Sequence, residues 1–333
     1  MNAPWIAAQT RQLLAQRGHA WLLQGPSGLG QYSLALAMVR AWLCDQPGPD
    51  GACGQCGSCH AIEVRGHADL CVLMPETQML ELAWPLSEKA QSEIDDKKRK
   101  PSKEIRVEAM RDAVEFCQRT SARGRGKAVL VYPAERMNTI TANTLLKTLE
   151  EPPGDVKFVL ASEAAHQLLP TIRSRCIAHT MSWPEPAVSL QWLQEQGVAE
   201  GEAPQLLRAA GGRPEDAQRL ATAGRSGKSW SLLPKAIARG DASAVAGFTP
   251  AETVDALQKV CHDLLTLQAG AAPRFFASGD LPALVPISVL AQWWSELARS
   301  ARTVEHPFNA GLMLEALVSR AHNALNSGQP IRP

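Results

Sequence analysis

No stretch of this sequence approaches the ~18 consecutive apolar residues that a bilayer-spanning helix needs, although 45% of its residues are hydrophobic. Its first residues, MNAPWIAAQTRQ, also lack the basic start and apolar stretch of a signal peptide. A cytoplasmic protein without membrane contact is therefore expected. A surplus of charge of one sign is missing too, since 34 Lys and Arg stand against 33 Asp and Glu for a net charge of +1. That balance excludes a field able to hold nucleic acid by itself, so any DNA contact must be local or shared with partners. Aromatic residues are few, at 5% with two tyrosines, and none is interleaved with the basic runs KKRK (97 to 100) and RTSARGRGK (119 to 127). These runs read as a solvated loop and a polar turn rather than as base-stacking platforms.

What is present is a regular alternation. Helical periodicity over 5 to 17 is followed by the apolar strand pattern AWLLQ (20 to 24) and a second helical stretch over 32 to 44. Strand patterns recur in DLCVLMP (69 to 75), KAVLVYP (127 to 133), VKFVLAS (156 to 162) and CIAHTM (176 to 181), with helices over 105 to 119 and 143 to 151. Alternation of this kind predicts an α/β fold, a parallel sheet with helices on both faces. After SWPEP (182 to 186) no further strand pattern occurs, and short helical segments up to about 223 give way to longer amphipathic ones. Trp293 and Trp294, inside one of these, read as bundle core or subunit interface. Residues 77 to 104, with dense mixed charge and few apolar anchors, read as a disordered segment.

Two constellations carry chemistry. GPSGLGQYS (25 to 33) lies between a strand and a helix, the setting in which backbone N–H groups cradle phosphate. Gly25, Gly28 and Gly30 suit such a loop, but Gln31 and Tyr32 stand where the phosphate-loop pattern has Lys and Ser or Thr. A cation and a metal ligand are therefore missing together, so hydrolysis here is not expected. The second constellation is Cys44, Cys53, Cys56 and Cys59, separated by eight, two and two residues. Four thiolates with these spacings suit one tetrahedral Zn²⁺. The rivals are an iron–sulfur cluster, whose usual run ends C-x₃-C-P while Cys59 is followed by HAIE, and a zinc site with His60 or His67 replacing Cys44. Cys71, Cys117, Cys176 and Cys261 read as small core hydrophobes.

Several motifs taken together resemble one family. NTLLKTLEEPP (143 to 153), followed by FVLAS (158 to 162) and TIRSRC (171 to 176), with the cysteine knuckle upstream, resembles the clamp-loader branch of the AAA+ ATPases, and within it the delta-prime subunits of bacterial DNA polymerase III. The likeness is strong over about the first 215 residues and beyond them rests on helical content and length. It implies an AAA+ P-loop-type domain over 1–181 with a zinc knuckle at 44–59 and an insertion at 77–104, a helical lid over 182–224 and an all-α collar over 225–333.

By the same resemblance, Tyr132 and Pro133 replace the Asp-Glu pair that organises Mg²⁺ and the attacking water, and Glu135, two residues on, is no assured substitute. Glu215 falls where a nucleotide-sensing Arg is expected, with Arg213 beside it. Arg175, rather than Arg173, is assigned the trans-acting role of completing a neighbouring subunit's ATP site. The implied protein is a non-hydrolysing component of the DNA polymerase III holoenzyme, with structural zinc and no productive ATP or Mg²⁺. Its implied partners are gamma/tau and delta, and through them the sliding clamp and primed DNA. An autonomous AAA+ ATPase or DNA-remodelling motor, and a zinc-containing adaptor, are the alternative readings.

Overall fold

The computed structural model of the chain describes residues 3–304 and 309–327. They divide into two compact units, with the boundary between Pro184 and Glu185. The first unit holds α1 (Pro4–Leu14), β1 (Ala20–Gln24), α2 (Gln31–Leu43), α3 (Gly57–Glu63), β2 (Leu70–Leu73), α4 (Glu76–Glu81), α5 (Glu88–Asp95), α6 (Val107–Gln118), β3 (Lys127–Val131), α7 (Thr139–Glu150), β4 (Val156–Ser162), α8 (Pro170–Arg173) and β5 (Ile177–Thr180). The five strands form one sheet in the order β2-β3-β4-β1-β5, parallel throughout. All five strand patterns read from the sequence are thus present.

Burial explains why the inner strands read as apolar runs rather than alternations. Every residue of β3 is buried, as are all but Lys157 in β4 and all but Gln24 in β1. Strands covered on both faces need apolar side chains at successive positions. One face packs Leu22, Val129, Val131, Phe158 and Leu160 against Met110 and Ala113 of α6 and Ala142, Leu145 and Leu149 of α7. The chain leaves β1 for the far edge at β2, returns through β3 and β4, and then passes β1 to form β5. That reversal makes the carboxyl end of β1 a topological switch point, where open α/β sheets form their ligand crevice. The loop GPSGLG lies there.

In the second unit, α9 (Pro186–Glu195), α10 (Ala203–Ala209), α11 (Pro214–Thr222), α12 (Gly227–Ala238), α13 (Pro250–Gln268), α14 (Ile287–Ala301) and α15 (Ala310–Asn326) are all helical. Leu233, Leu257, Leu264, Leu290, Trp293, Leu297, Leu317 and Val318 are among its core residues. No helix among the described residues is long and apolar enough to cross a membrane.

The disorder expected for residues 77 to 104 is not what the structure has. The segment contains α4 and α5 and closes on one carboxylate, Glu76, which is 7% exposed. Glu76 accepts from Arg99 Nη2 at 2.8 Å and from the Ser102 backbone N–H at 2.8 Å, with Arg106 Nε at 3.3 Å. Arg99 Nε also donates to Glu93 at 2.7 Å. The dense charge is thus mutually paired about a buried anchor, whereas composition alone registers only that charge is abundant.

Burial by itself would raise the Glu76 carboxyl, but hydrogen bonds from Arg99 and Ser102 and the nearby Arg106 hold it below its ordinary 4.5. A carboxyl whose folded value is depressed stabilises the fold above its unfolded value and loses that contribution as pH falls through the folded one. Protection factors for amide exchange across 76–104 should therefore fall on acidification below pH 4.5. At neutral pH, Glu76→Gln should weaken the segment by about 1–3 kcal/mol while sparing the sheet. Unchanged protection in that variant would contradict the anchoring role.

Candidate functional site

The loop after β1 is held by its neighbours on both sides. The Gly25 N–H donates to the Ser162 carbonyl at 3.3 Å, and Trp5 Nε1 donates to the Leu29 carbonyl at 2.9 Å. Gly28 and Gly30 have φ of +75° and +94°, a left-handed conformation that glycine adopts without a Cβ penalty. Gly30 caps α2 and its carbonyl accepts from Leu34 N–H at 2.8 Å, so the loop passes directly into the helix. GPSGLG is thus a turn whose left-handed glycines carry the chain from β1 into α2.

The two aberrant residues that follow are occupied by the protein itself. Gln31 is 2% exposed, and its side-chain amide donates to the Gly25 and Pro26 carbonyls, both at 2.7 Å. Tyr32 accepts a hydrogen bond from Trp84 Nε1 at 2.8 Å. Its ring lies 5.3 Å, centroid to centroid, from that of Tyr132. Burial raises the Tyr32 phenol above its ordinary value of 10.0, so it stays a neutral hydroxyl. The chain's two tyrosines, distant in sequence, thus meet at the two positions where catalytic groups were expected.

The end of β3 is closed in the same manner. Tyr132 donates its hydroxyl proton to Glu163 Oε1 at 2.9 Å. Glu135 is drawn into bracing this corner, accepting from the Ser162 hydroxyl at 2.7 Å and the Glu163 N–H at 3.1 Å. Trp84 and Glu163, both absent from the sequence-level site, belong to this cluster. Trp84 was hidden inside a segment read as disordered; the apolar stretch MLELAWPL (79 to 86) around it was the available signal.

Arg175 sits in the short turn between α8 and β5, with its side chain 31% exposed. Its Nε and Nη2 both donate to Glu150 Oε2, at 3.1 and 3.0 Å, and Nη1 donates to the Thr171 carbonyl at 3.0 Å. Glu150 closes α7, so the motif NTLLKTLEE supplies the partner that orients this guanidinium, a residue the sequence reading did not single out. Arg173 is exposed at the end of α8. In the second unit, Arg213 caps α11 and pairs with Asp216 at 2.9 Å, and Glu215 lies in the first turn of the same helix.

The four cysteines converge. Cys44 ends α2, Cys56 caps α3, Cys59 lies within α3 and Cys53 comes from the intervening loop. Their sulfurs all lie within 4.8 Å of one another, with separations of 3.7 Å for Cys44–Cys56, 3.7 Å for Cys44–Cys59 and 4.0 Å for Cys53–Cys59. A tetrahedral thiolate site with metal–sulfur bonds of ~2.3 Å has edges of about 3.8 Å. The arrangement can therefore hold one metal ion. Cys44 keeps its place in it; His67 is buried elsewhere, its Nδ1 accepting from the Asp69 N–H at 3.1 Å, and His60 is exposed.

Electrostatics favour a cation among these sulfurs. Burial opposes ionisation of Cys56, yet hydrogen bonds from the Cys59 and Asp45 backbone N–H groups bring its thiol down to about 6. Burial and the neighbouring sulfurs push Cys59 up to about 12. Four thiolates cannot coexist at this separation without a positive ion between them. Around the knuckle, Asp45 accepts from the Ser58 hydroxyl at 2.7 Å, and Arg123 donates to Ser58 Oγ at 3.2 Å. The turn carrying Arg123 is itself held by Asp69, which accepts from the Ala122 and Arg123 N–H groups at 2.7 and 2.9 Å.

Residues 7–184 match a protein family described as DNA polymerase III, delta subunit. The chain is 40% identical over 221 residues to "DNA polymerase III subunit delta'" of Pseudomonas aeruginosa, a match covering 65% of this chain and 60% of the relative. It is 33% identical over 229 residues to "DNA polymerase III subunit tau" of Escherichia coli strain K12, covering 67% of this chain and 30% of that protein. The chain thus spans three fifths or less of the length of these relatives. Among solved structures, a DNA polymerase III gamma subunit-related protein of Thermotoga maritima superposes with a TM-score of 0.51 at 16% identity, covering 96% of this chain and 99% of that one. With a five-stranded parallel sheet, a four-cysteine knuckle and a family match across more than half its length, the chain belongs to the DNA polymerase III delta-prime family.

Proposed function

We propose that this protein is a clamp-loader component of the DNA polymerase III holoenzyme that hydrolyses no ATP itself and completes the ATP site of a neighbouring subunit. The observation that carries the reading is the contrast between its own filled phosphate loop and the oriented Arg175. In a working site the Lys reaches the terminal phosphates and the hydroxyl ligates Mg²⁺. Here the Gln31 amide is engaged by Gly25 and Pro26, Tyr32 by Trp84, and Tyr132 by Glu163. Glu135, beyond the end of β3, is likewise engaged, by the Ser162 hydroxyl and the Glu163 N–H.

Arg175 acts differently in this reading. Its pair with Glu150 is partly solvent-exposed, and such pairs are worth ~0–1 kcal/mol. Glu150 therefore holds the guanidinium in position without competing strongly against a phosphoryl group brought by the adjacent subunit. That group's developing charge is what a trans-acting arginine stabilises. The partners in this proposal are gamma/tau and delta, with the sliding clamp and primed DNA engaged through the assembly. Exposed apolar residues on α14 support a helix-to-helix association: Ile287 is 60% and Trp294 39% exposed, along the flank of the stripe formed by buried Leu290, Trp293 and Leu297.

The metal of the knuckle is zinc in this reading. All four ligands are sulfur and the geometry is tetrahedral, so no position is left open for a reacting water. The ion ties the end of α2, the 53–56 loop and the start of α3 together, a structural task.

Three outcomes test the proposal. Calorimetry of the isolated chain should give no tight binding of Mg-ATP; tight binding with turnover would instead favour an autonomous ATPase. Arg175→Ala, reconstituted with gamma/tau and delta, should lower hydrolysis at the adjacent site by about 10³- to 10⁵-fold, and unchanged ATPase and clamp loading would refute the assignment. Elemental analysis should find about one zinc per chain, lost in Cys53→Ser. On chelation, alkylation near neutral pH should reach Cys56, whose thiol is brought down to about 6, before Cys71, Cys176 and Cys261, whose thiols burial pushes up to about 12, or Cys117 at about 11.

A further inference from the structure

Trp84 is 6% exposed, although it lies between α4 and α5 in a stretch rich in charge. The segment presents it from two fixed ends. On one side Glu76 is clamped by Arg99 and Ser102, and on the other the Ser87 side chain caps α5. The turn itself needs a positive φ of 56° at Ala83 and is closed by the Trp84 N–H donating to the Met79 carbonyl at 2.8 Å. Arg65 covers the indole, its guanidinium 4.4 Å from the ring centroid. The indole N–H then reaches Tyr32 in the first turn of α2.

From Tyr32 the contacts run onward without a gap. The ring packs on Tyr132 at the end of β3, and Tyr132 bonds Glu163 directly after β4. Glu163 and Ser162 are bonded to Glu135, which follows β3. This chain of side chains joins the segment following β2 to the ends of β1, β3 and β4. Those strand ends carry the phosphate loop and the acidic strand, the elements that a bound nucleotide with its metal bridges in a working P-loop site.

We propose that residues 76–104 are a built-in replacement for nucleotide, with Trp84 as the positioning residue that couples the phosphate loop, through Tyr32 and Tyr132, to the ends of β3 and β4. The inference rests on the non-hydrolysing reading above and adds to it a role for the inserted segment. A site merely stripped of its catalytic groups would leave the loop and the strand ends uncoupled. Here the coupling is supplied by the protein's own side chains, Trp84 on Tyr32 and Tyr132 on Glu163, so the conformation at the switch point is independent of nucleotide.

Amide exchange on the full chain tests this. In the wild type, exchange over 28–34 and 129–133 should be the same with and without Mg-ATP. Trp84→Ala should accelerate exchange in both stretches by about tenfold or more, the factor that corresponds to ~1.4 kcal/mol. Trp84→Phe and Tyr32→Phe each remove one side of the same hydrogen bond while keeping a ring in place, so each should have a smaller effect. Combining them should add little beyond either alone, because they lose one shared interaction. Loosening confined to 76–104 in Trp84→Ala, or fully additive effects of the two Phe variants, would overturn the proposal. Tight Mg-ATP binding with turnover by the wild type would remove the non-hydrolysing reading and this inference with it. Unaltered exchange over 28–34 in Trp84→Ala, in a chain that ignores ATP, would remove this inference alone.

Discussion

Because β3, β4 and β1 are buried on both faces, the polar chemistry of the first unit is confined to the strand ends, and the rest of its architecture follows from that confinement. Lateral positions along these strands admit apolar side chains almost exclusively. The reversal of strand order about β1 opens a crevice at its carboxyl end. Into that crevice come Gln31, Tyr32, Tyr132, Glu135, Ser162 and Glu163, six polar residues from three connections. Their hydrogen bonds have to be completed locally, because an unpaired polar group behind such a sheet costs ~1–3 kcal/mol.

That requirement gives the residue choices at the loop a physical sense. A lysine and two carboxylates clustered here are tolerable when phosphate and a metal ion neutralise them. Without those ligands each becomes a poorly solvated charge, which is more costly than a neutral polar group. Gln31 and the two tyrosines are uncharged, reach comparable distances and find partners within the protein. Glu135 and Glu163, the acidic residues retained nearby, both accept hydrogen bonds.

The knuckle on the other side of α2 shows the opposite strategy. Four sulfurs within 4.8 Å share protons as thiols, but as thiolates they have none to share, and a cation is what relieves their repulsion. The knuckle's surroundings are polar and interlocked: Asp45, Ser58 and Arg123 connect it to the turn before β3, and Asp69 fixes that turn from the start of β2. The two centres therefore lie at the two ends of α2 and differ in kind, one closed by hydrogen bonds within the protein and the other a cluster of four sulfurs able to hold a metal ion.

By itself the sequence determined whatever depends on periodicity and on fixed local spacing. Apolar runs at regular intervals specified all five strands, glycines at 28 and 30 specified the turn from β1 into α2, and the tight spacing of Cys53, Cys56 and Cys59 specified a cluster of sulfurs able to hold a metal ion. Only the tertiary structure decided which polar residues meet. Glu150 and Arg175 come from separate helices and turns, and Tyr32, Trp84, Tyr132 and Glu163 come from four separate connections; no short-range pattern encodes their encounter. The segment at 77 to 104 was misread for the same reason. Its order depends on Glu76 being buried where Arg99 and Arg106 converge, and pairing across space leaves no trace in composition.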